Sequence, residues 1–245
     1  ERHVSSLGVA SFGPIQVDPC HPRYGQILTT PKLAWKDHDI LQYLRPLGAP
    51  LVLDTDVNAP AVAELALGDH GAETSCAYIT VGTGIGVGMV VNGRPIHGLL
   101  HPEGGHVLVR AHPDDHYPGS CPFHTCCVEG MANAGALAQR KGIAPQDLGE
   151  LDDDDVVWDY AAFYLAQLCV AITMLTSVEV IVLSGGVMQR ACLFPKLRTH
   201  FKDLQGNYLD SPKLRGDLTD LIVPSRFGNN SGIIGALQLG FSQLS

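Results

Sequence analysis

Cys76-Ala77-Tyr78-Ile79-Thr80-Val81-Gly82-Thr83-Gly84-Ile85-Gly86-Val87-Gly88-Met89-Val90-Val91 is the stretch that decides the fold. Its first six residues are rich in β-branched and aromatic side chains, which is typical of a strand. Residues 89–91 carry the same signal for a returning strand, and glycines fill the space between. The stretch therefore predicts a β-hairpin with a glycine turn.

The glycine turn also has chemical meaning. Small residues and hydroxyl groups leave backbone N–H groups bare, so that a phosphate can approach them closely. The residues concerned are Thr80, Gly82, Thr83 and Gly84. The turn matches neither the dinucleotide-binding glycine pattern nor a P-loop, because Val87 and Met89 occupy the places where a third glycine would fall and no Gly-Lys-Ser/Thr is present. A simple tight hairpin is the alternative interpretation, and the turn alone does not decide between the two.

The remaining pattern alternates short apolar runs with helical periodicity, which predicts an α/β fold. Strands are expected at residues 4–11, 51–53, 180–183 and 221–223. Helices are expected at residues 40–47, 59–67, 128–140, 156–176 and 232–244. The polar segment 68–73 reads as a linker.

Asp56 lies just after the strand at residues 51–53 and just before a helix. In open α/β sheets, ligands bind at this edge, and a carboxylate there is placed to accept a proton from a bound hydroxyl group. Helix capping is the alternative role, but Asn58 is expected to provide the cap. Ser184, Gly185 and Gly186 form a second, weaker signal of a strand end that would lie against a nucleoside.

A short Gly- and Pro-rich stretch gathers soft metal ligands. Cys121, His124 and Cys127 follow one another at intervals of three residues, and His106 completes a set suited to tetrahedral Zn²⁺. The alternative is that these are ordinary loop residues. We predict a structural zinc site and leave out Cys126, because adjacent side chains seldom reach one ion together.

Composition excludes several classes of function. The 245 residues carry 16 Lys and Arg against 25 Asp and Glu, a net charge of -9, with no basic stripe, so we expect no nucleic-acid partner. The most apolar window, residues 165–183, is interrupted by polar residues and reads as a buried helix followed by a strand rather than a membrane span. The four carboxylates at 152–155 predict a helix start more than a cation site. Seven scattered or clustered cysteines and no signal stretch favour a reducing, cytoplasmic compartment.

Several segments with informative side chains follow one another along the chain. They are Asp54-Thr55-Asp56-Val57-Asn58-Ala59 with Glu64, Tyr78 to Gly86, His101-Pro102-Glu103-Gly104-Gly105-His106, and Cys121-Pro122-Phe123-His124-x-x-Cys127-x-Glu129-Gly130. Together they resemble the ROK sugar kinases and, within that family, the zinc-containing fructokinases. Ser11-Phe12-Gly13-Pro14, Thr30-Pro31-Lys32 and Leu183-Ser184-Gly185-Gly186-Val187-Met188 fall in the same order. The resemblance therefore covers essentially the whole chain.

The resemblance implies an actin-like ATPase (ribonuclease H-like) fold, with two α/β lobes and the substrates in the cleft between them. Residues 1–68 with 230–245 are expected to form a small lobe, and residues 69–229 a large lobe that carries the zinc loop. The implied reaction is transfer of the γ-phosphoryl group of ATP to a hexose, most plausibly fructose, to give fructose 6-phosphate. Asp56 would be the catalytic base, and Mg²⁺ would accompany ATP.

The resemblance also implies the remaining site residues. The hexose would be held by Phe12, Gly13, Thr55, Asp56, Glu103, His106 and Glu129. ATP would be bound by Thr80, Gly82, Thr83, Gly84, Gly185 and Gly186. Zinc would be bound by His106, Cys121, His124 and Cys127, so that His106 would have two duties.

One expected motif is absent from the 245 residues. ROK kinases begin with a strand that carries an Asp-x-Gly-Gly-Thr phosphate loop, and no such segment occurs here. We therefore expect the sequence to be part of a longer kinase, and the 245 residues alone to be impaired in activity. Alternative functions are a ROK kinase for glucose, mannose or an N-acetylhexosamine, and a sugar-binding protein without catalysis. Dimers are common in the family, so a homodimer is expected.

Overall fold

The structure, a computed structural model, describes residues 4–30 and 32–244. Pro31 of the Thr30-Pro31-Lys32 segment lies outside the described residues, as do the ends of the expected small lobe, residues 1–3 and 245. The described strands are β1 (Leu7–Ser11), β2 (Leu51–Thr55), β3 (Cys76–Val81), β4 (Ile85–Val91), β5 (Arg94–Pro95), β6 (Val180–Ser184) and β7 (Ile222–Pro224). The described helices are α1 (Asn58–Leu67), α2 (Val128–Ala132), α3 (Ala134–Lys141), α4 (Val156–Thr176), α5 (Leu193–Gln205), α6 (Pro212–Arg215) and α7 (Ser231–Phe241).

The larger sheet has the strand order β5-β4-β3-β6-β7. The predicted hairpin is confirmed: β3 and β4 are antiparallel, and Val81 pairs with Ile85 across the glycine turn. β6 runs parallel to β3, with Thr80 paired to Ser184. Because parallel strands end at the same edge, the two glycine-containing segments that follow β3 and β6 lie side by side.

Gly185 shows how closely these two segments approach. Its φ angle is +94°, and a Cβ atom there would lie 2.3 Å from the carbonyl oxygen of Val81. Only glycine meets both conditions without a shift of backbone. The second glycine segment therefore fixes the junction of β3 and β6.

The sheet is covered on both faces. Tyr78 and Val182 pack with Ala61 of α1 on one face, whereas Ile79 and Leu183 join the larger core built around α4 on the other. This alternation follows from the two-residue period of a strand. Each large apolar side chain buried this way contributes about 1.5–3 kcal/mol.

α4 is the central helix of the large core. Among the described helices it alone is long and apolar enough to cross a membrane, but 67% of its most apolar window is buried inside the protein. Its start agrees with the prediction for residues 152–155: the Asp155 carboxylate accepts a hydrogen bond from the Val157 N–H at 3.0 Å and pairs with Lys141 at 2.7 Å. The acidic run is a capped helix start.

The smaller sheet consists of β1 and β2, which run parallel with Ser11 opposite Thr55. α7 packs on β1 and on α1. The contact is close, since a Cβ atom on Gly8 would lie 1.8 Å from the carbonyl oxygen of Ala236. Although this contact joins the C-terminal helix to residues of the expected small lobe, the division into 1–68 with 230–245 and 69–229 stays a prediction.

We expect a Gly8→Ala substitution to lower the free energy of unfolding by about 1–3 kcal/mol, because the new methyl group overlaps backbone that cannot move away cheaply. Gly232→Ala in α7 is the matched control: a Cβ atom there meets nothing within 4 Å. It should be neutral or stabilising by up to about 1 kcal/mol, because alanine favours a helix more than glycine. Urea unfolding of both variants measures the difference, and equal stability of the two would contradict the close packing of β1 on α7.

Three local predictions are wrong. Residues 40–47 contain only a short 3₁₀ turn, Arg45–Leu47, because the Asp39 carboxylate accepts from the Leu41 N–H and pairs with Arg45, which favours a turn over a helix. The predicted helix 128–140 is broken into α2 and α3 at Asn133, whose side chain caps α3 through the Ala136 N–H at 2.7 Å. The third error, the cap of α1, concerns the site.

Candidate active site

Asp56 lies directly beyond the end of β2, where the smaller sheet places it. Its backbone N–H donates to the Ser11 carbonyl oxygen at 2.8 Å, so that the ends of β1 and β2 set its position together. The expected cap, Asn58, does not cap α1. The Thr55 hydroxyl oxygen accepts from the Asn58 N–H at 2.9 Å instead. Since Thr55 has this role, the Asp56 carboxylate is not used at the helix start.

Asp54 and Asp56 stand two residues apart but have different surroundings. The buried Asp54 carboxylate accepts from the Asn58 side-chain amide at 2.9 Å and from the His97 Nε2–H at 3.0 Å. The Asn58 side-chain oxygen in turn accepts from the Met89 N–H at 3.0 Å, which ties α1 to β4. The bond to Asp54 raises the pKa of His97. Asp54 therefore holds the structure together, whereas within the described residues the Asp56 carboxylate receives no side-chain or neighbouring backbone donor.

The Asp56 carboxylate faces a cavity of about 460 Å³, a size suited to a small ligand. Of the residues predicted to hold the hexose, those lining this cavity are Phe12, Gly13, Thr55, Asp56, Glu103 and Glu129. Of the residues predicted for ATP, those lining it are Thr80, Gly82, Thr83 and Gly84. His106 is absent from the lining, and its Nδ1 atom belongs to the metal-ligand cluster described below. The structure thus brings most of the predicted set together around one cavity.

The carboxylates of Asp56, Glu103 and Glu129 converge on this cavity. Burial, together with the nearby charges of Glu129 and Asp56, raises the pKa of Glu103 to about 7. Desolvation by the cleft walls also raises the pKa of Asp56, with the Lys32 ammonium opposing the shift. Glu129 is fixed by the glycine turn, since its Oε2 accepts from the Ile85 N–H at 2.9 Å. Fixed acceptors of this kind suit a polyhydroxylated ligand.

A second cavity, of about 770 Å³, lies on the other side of the glycine turn. Gly82 and Thr83 line both cavities, and Gly186 lines the second. Its lining includes Trp158 and Arg190, whose guanidinium lies 4.7 Å from the Trp158 ring centroid. Gly185, which was predicted beside Gly186, does not line this cavity and packs against β3 instead.

The broken helix explains how the turn between the cavities is held. α2 ends at Ala132, before Asn133, so the Ala134 N–H has no partner within that helix. It donates to the Gly82 carbonyl oxygen at 2.8 Å. The start of α3 therefore supports the turn from the side of the second cavity.

The four predicted metal ligands form one cluster, with ligand atoms within 4.8 Å of one another. The Cys121 sulfur lies 3.7 Å from Nδ1 of His106 and 3.8 Å from Nδ1 of His124, and the Cys127 sulfur lies 3.7 Å from Nδ1 of His106. Tetrahedral zinc with ordinary bond lengths would separate sulfur and nitrogen ligands by about 3.6 Å. The donor set and its spacing fit zinc.

The backbone around the cluster favours thiolates. The His124 N–H points at the Cys121 sulfur at 3.4 Å, and the Gly130 N–H points at the Cys127 sulfur at 3.3 Å. Such donors stabilise negative charge on sulfur and orient the ligands. Cys126, which was left out of the predicted set, turns away and donates to the Val109 carbonyl oxygen at 3.1 Å.

Among the residues that line the cavity with Asp56 and were not predicted for the site, two carry ionisable side chains, His101 and Lys32. His101 was visible inside the quoted His-Pro-Glu-Gly-Gly-His segment, but only the contacts of its ring reveal a role. Lys32 lies with its ammonium 3.7 Å from the centroid of the Phe12 ring. Because residue 32 is far in sequence from every other residue that lines the cavity, no spacing rule points to it.

The ROK family model matches residues 1–242. The chain belongs to the ROK family. It is 39% identical to the fructokinase of Pediococcus pentosaceus, with 98% of this chain and 82% of that protein covered. It is 38% identical to the fructokinase of Streptococcus mutans, with 98% and 80% covered.

A solved structure extends the comparison to the fold of this ROK protein. The ROK hexokinase from Thermus thermophilus is 26% identical and superposes with a TM-score of 0.76, with 98% of this chain and 80% of that chain covered. The expected actin-like ATPase fold is thereby confirmed for this ROK chain. Its mixed α/β architecture is that of ROK sugar kinases.

Proposed function

We propose that this ROK protein is a fructokinase that transfers the γ-phosphoryl group of ATP to D-fructose. Membership of the family and the similarity to named sugar kinases make it a carbohydrate kinase. The observation that carries the assignment of roles is the pair of cavities that meet at Gly82 and Thr83, with the Asp56 carboxylate in one of them. A phosphoryl donor on one side and an acceptor hydroxyl on the other would then face each other across a turn without bulky side chains.

In this proposal Asp56 is the general base. Its carboxylate has no donor from another residue in the described chain, and desolvation raises its pKa, so that it is both free and basic enough to accept the proton of a hexose hydroxyl. The turn that contains Thr83 offers backbone N–H groups to the transferring phosphoryl group, and Gly186 lies on the nucleoside side. Mg²⁺ arrives with ATP and offsets phosphate charge.

Fructose is the proposed hexose because the two bacterial fructokinases at 38–39% identity cover nearly the whole of this chain. The Glu103 and Glu129 carboxylates supply acceptors for sugar hydroxyls, and Glu129 is held rigidly by the Ile85 N–H. Phe12 and Thr55 lie where the choice between hexoses would be made. His106 is proposed to bind zinc through Nδ1 and to leave its second ring nitrogen for the sugar or a carboxylate.

We also propose that zinc is the metal of the His106, Cys121, His124 and Cys127 cluster, and that its role is structural. All four positions of a tetrahedral site are provided by protein, which is the pattern of closed, structural zinc sites. Zinc here would hold the loop that precedes Glu129 and thus the sugar side of the cleft. A homodimer in the cytoplasm completes the proposal, and light scattering at several protein concentrations tests the dimer.

The deciding experiment is an ADP-release assay with Mg²⁺-ATP and a panel of hexoses on the full-length protein, run beside calorimetric titration of each sugar. We expect kcat/KM for fructose to exceed that for glucose, mannose and N-acetylhexosamines. A higher kcat/KM for one of the others would assign this ROK kinase to that sugar instead. Sugar binding without ATP binding or ADP release would replace the kinase by a sugar-binding protein.

A further inference from the structure

His101 joins two segments that both contribute to the lining of the hexose cavity. Its side chain is only 3% exposed and lies against the Phe12-Gly13-Pro14-Ile15 segment that follows β1. A Cβ atom on Gly13 would lie 2.7 Å from Cε1 of the His101 ring, so the ring fills the space beneath this segment. On its other side, Nδ1 of His101 lies 3.5 Å from Oε1 of Glu103.

The hydrogen bonds determine which ring nitrogen carries the proton. The Ile15 N–H donates to Nε2 of His101 at 3.1 Å, so Nε2 must present a lone pair. The proton of the neutral ring therefore sits on Nδ1, which faces the Pro102 carbonyl oxygen at 3.4 Å and the Glu103 carboxylate. Burial lowers the pKa of His101, which agrees with a neutral ring.

This contact is the direct hydrogen-bonded link between the two sides. Within residues 4–30 and 32–244, the Ile15 to His101 bond is the one hydrogen bond between segment 12–15 and segment 101–106. The two segments are 86 residues apart in sequence and contribute Phe12, Gly13 and Glu103 to the same cavity. His101 thus provides the one direct hydrogen bond that holds these two parts of the cavity wall together.

We propose that His101 is a positioning residue, a latch that accepts from the Ile15 N–H and donates to the Pro102 carbonyl oxygen beside Glu103, and so sets the width of the hexose site. The proposal rests on the proposed function, because it assigns the width to hexose binding. His101 does not receive the proton of the sugar hydroxyl, since both ring nitrogens already face protein groups. Its loss should weaken hexose binding and leave the nucleotide cavity, which it does not line, unaffected.

Three variants separate the two halves of the latch. His101→Leu removes both. His101→Gln keeps an acceptor at the reach of Nε2 for the Ile15 N–H, whereas His101→Asn keeps a polar group only at the reach of Nδ1. Leaving a buried N–H without an acceptor corresponds to about a tenfold or larger loss. We expect the Leu and Asn variants to raise KM for fructose about tenfold or more, with kcat and KM for ATP changed less than about threefold, and the Gln variant to restore most of the affinity.

Two further measurements test the role of His101 without requiring kinase activity. The ¹⁵N shifts of the His101 ring should show a protonated Nδ1 and a bare Nε2, and exchange of the Ile15 amide proton should accelerate in the Leu variant but not in the Gln variant. A protonated Nε2, unchanged exchange, or a Gln variant no better than Leu would overturn the latch. If the wild-type protein phosphorylates no hexose, the proposed function fails, while the tautomer and the amide exchange still decide the latch.

Discussion

Replacement of Asp56 by asparagine is expected to lower kcat by about two to four orders of magnitude, the usual worth of a positioned general base. Asparagine has nearly the same shape but cannot accept the proton of a sugar hydroxyl. The hexose should still bind, because the rest of the cavity wall is unchanged. Steady-state ADP release and calorimetry on the same preparation measure the two effects separately.

The same substitution is expected to raise the melting temperature at neutral pH. Desolvation by the cleft walls raises the pKa of Asp56 above its ordinary 3.8 in the folded protein, but the residue is partly open to solvent, so the expected rise in melting temperature is small. The folded state therefore holds this proton more tightly than the unfolded state, and stability falls as pH rises from 3.8 through the raised pKa. Asparagine removes that loss, so the gain in melting temperature should be full at neutral pH and vanish below pH 3.8.

The activity of the wild-type kinase should also depend on the protonation of Asp56, and it should be lost at low pH. As pH falls through the raised pKa of Asp56, the carboxylate is protonated and kcat/KM should fall with it. A kcat/KM profile in which the acid limb is unchanged by Asp56→Asn would contradict the assignment of the base.

Asp54→Asn is the matched control for Asp56→Asn, since both change one carboxylate of the same Asp-Thr-Asp segment. Asp54 is buried and accepts from Asn58 and His97. An amide in its place turns one acceptor into a donor and should destabilise the fold, by about 1–3 kcal/mol for an unsatisfied buried group. We expect Asp56→Asn to be stabilised and Asp54→Asn to be destabilised. Equal effects on stability would contradict a structural role for Asp54 and a functional role for Asp56.

Loss of the metal is expected to have the largest effect on stability. Structural zinc contributes about 10–16 kcal/mol of folding free energy in isolated zinc fingers. If a third of that free energy is lost in a protein of this size, the melting temperature falls by roughly 10 °C or more. Cys127→Ser should abolish stoichiometric zinc, measured by plasma emission spectrometry, and should show this fall. Hexose affinity should fall as well, because Cys127 stands two residues before Glu129.

Cys126→Ser provides the control one residue away. The Cys126 sulfur donates to Val109 and lies outside the metal-ligand cluster, so this variant should keep its zinc and its hexose affinity. Removal of zinc by a chelator, with melting temperature and sugar binding intact, would show that the metal is not structural.

Much of the site could be predicted because its residues lie in short, local patterns. The hairpin around Gly82 follows from composition and strand period, and the ligand spacing from Cys121 to Cys127 follows from the reach of one loop. Such patterns depend on neighbours in sequence. The structure supports them without any long-range contact being known in advance.

The remaining features depend on contacts that no local pattern encodes. Asp54 and Asp56 look alike in sequence, and their different roles depend on tertiary contacts such as that of Asp54 with His97, which lies beyond β5. The break at Asn133 is invisible to helical periodicity because the residues on both sides favour a helix, and the cost of breaking it is offset by the bond from Ala134 to Gly82. Residues 40–47 have helical periodicity, but Asp39 and Arg45 stabilise a turn instead.

The single shared turn between the two cavities has a consequence for how such a kinase can change over time. Gly82 and Thr83 are common to both linings, whereas segments 12–13, 55–57 and 101–103 line only the cavity proposed for the sugar, and segments 145–153 and 186–191 contribute only to the cavity proposed for the nucleotide. Apart from the glycine turn and the consecutive helices α2 and α3, which carry Glu129 and Ala134, the two linings draw on separate segments of the chain. Under the proposed assignment, mutation in the first group of segments would alter the preferred sugar while the phosphoryl donor stays the same.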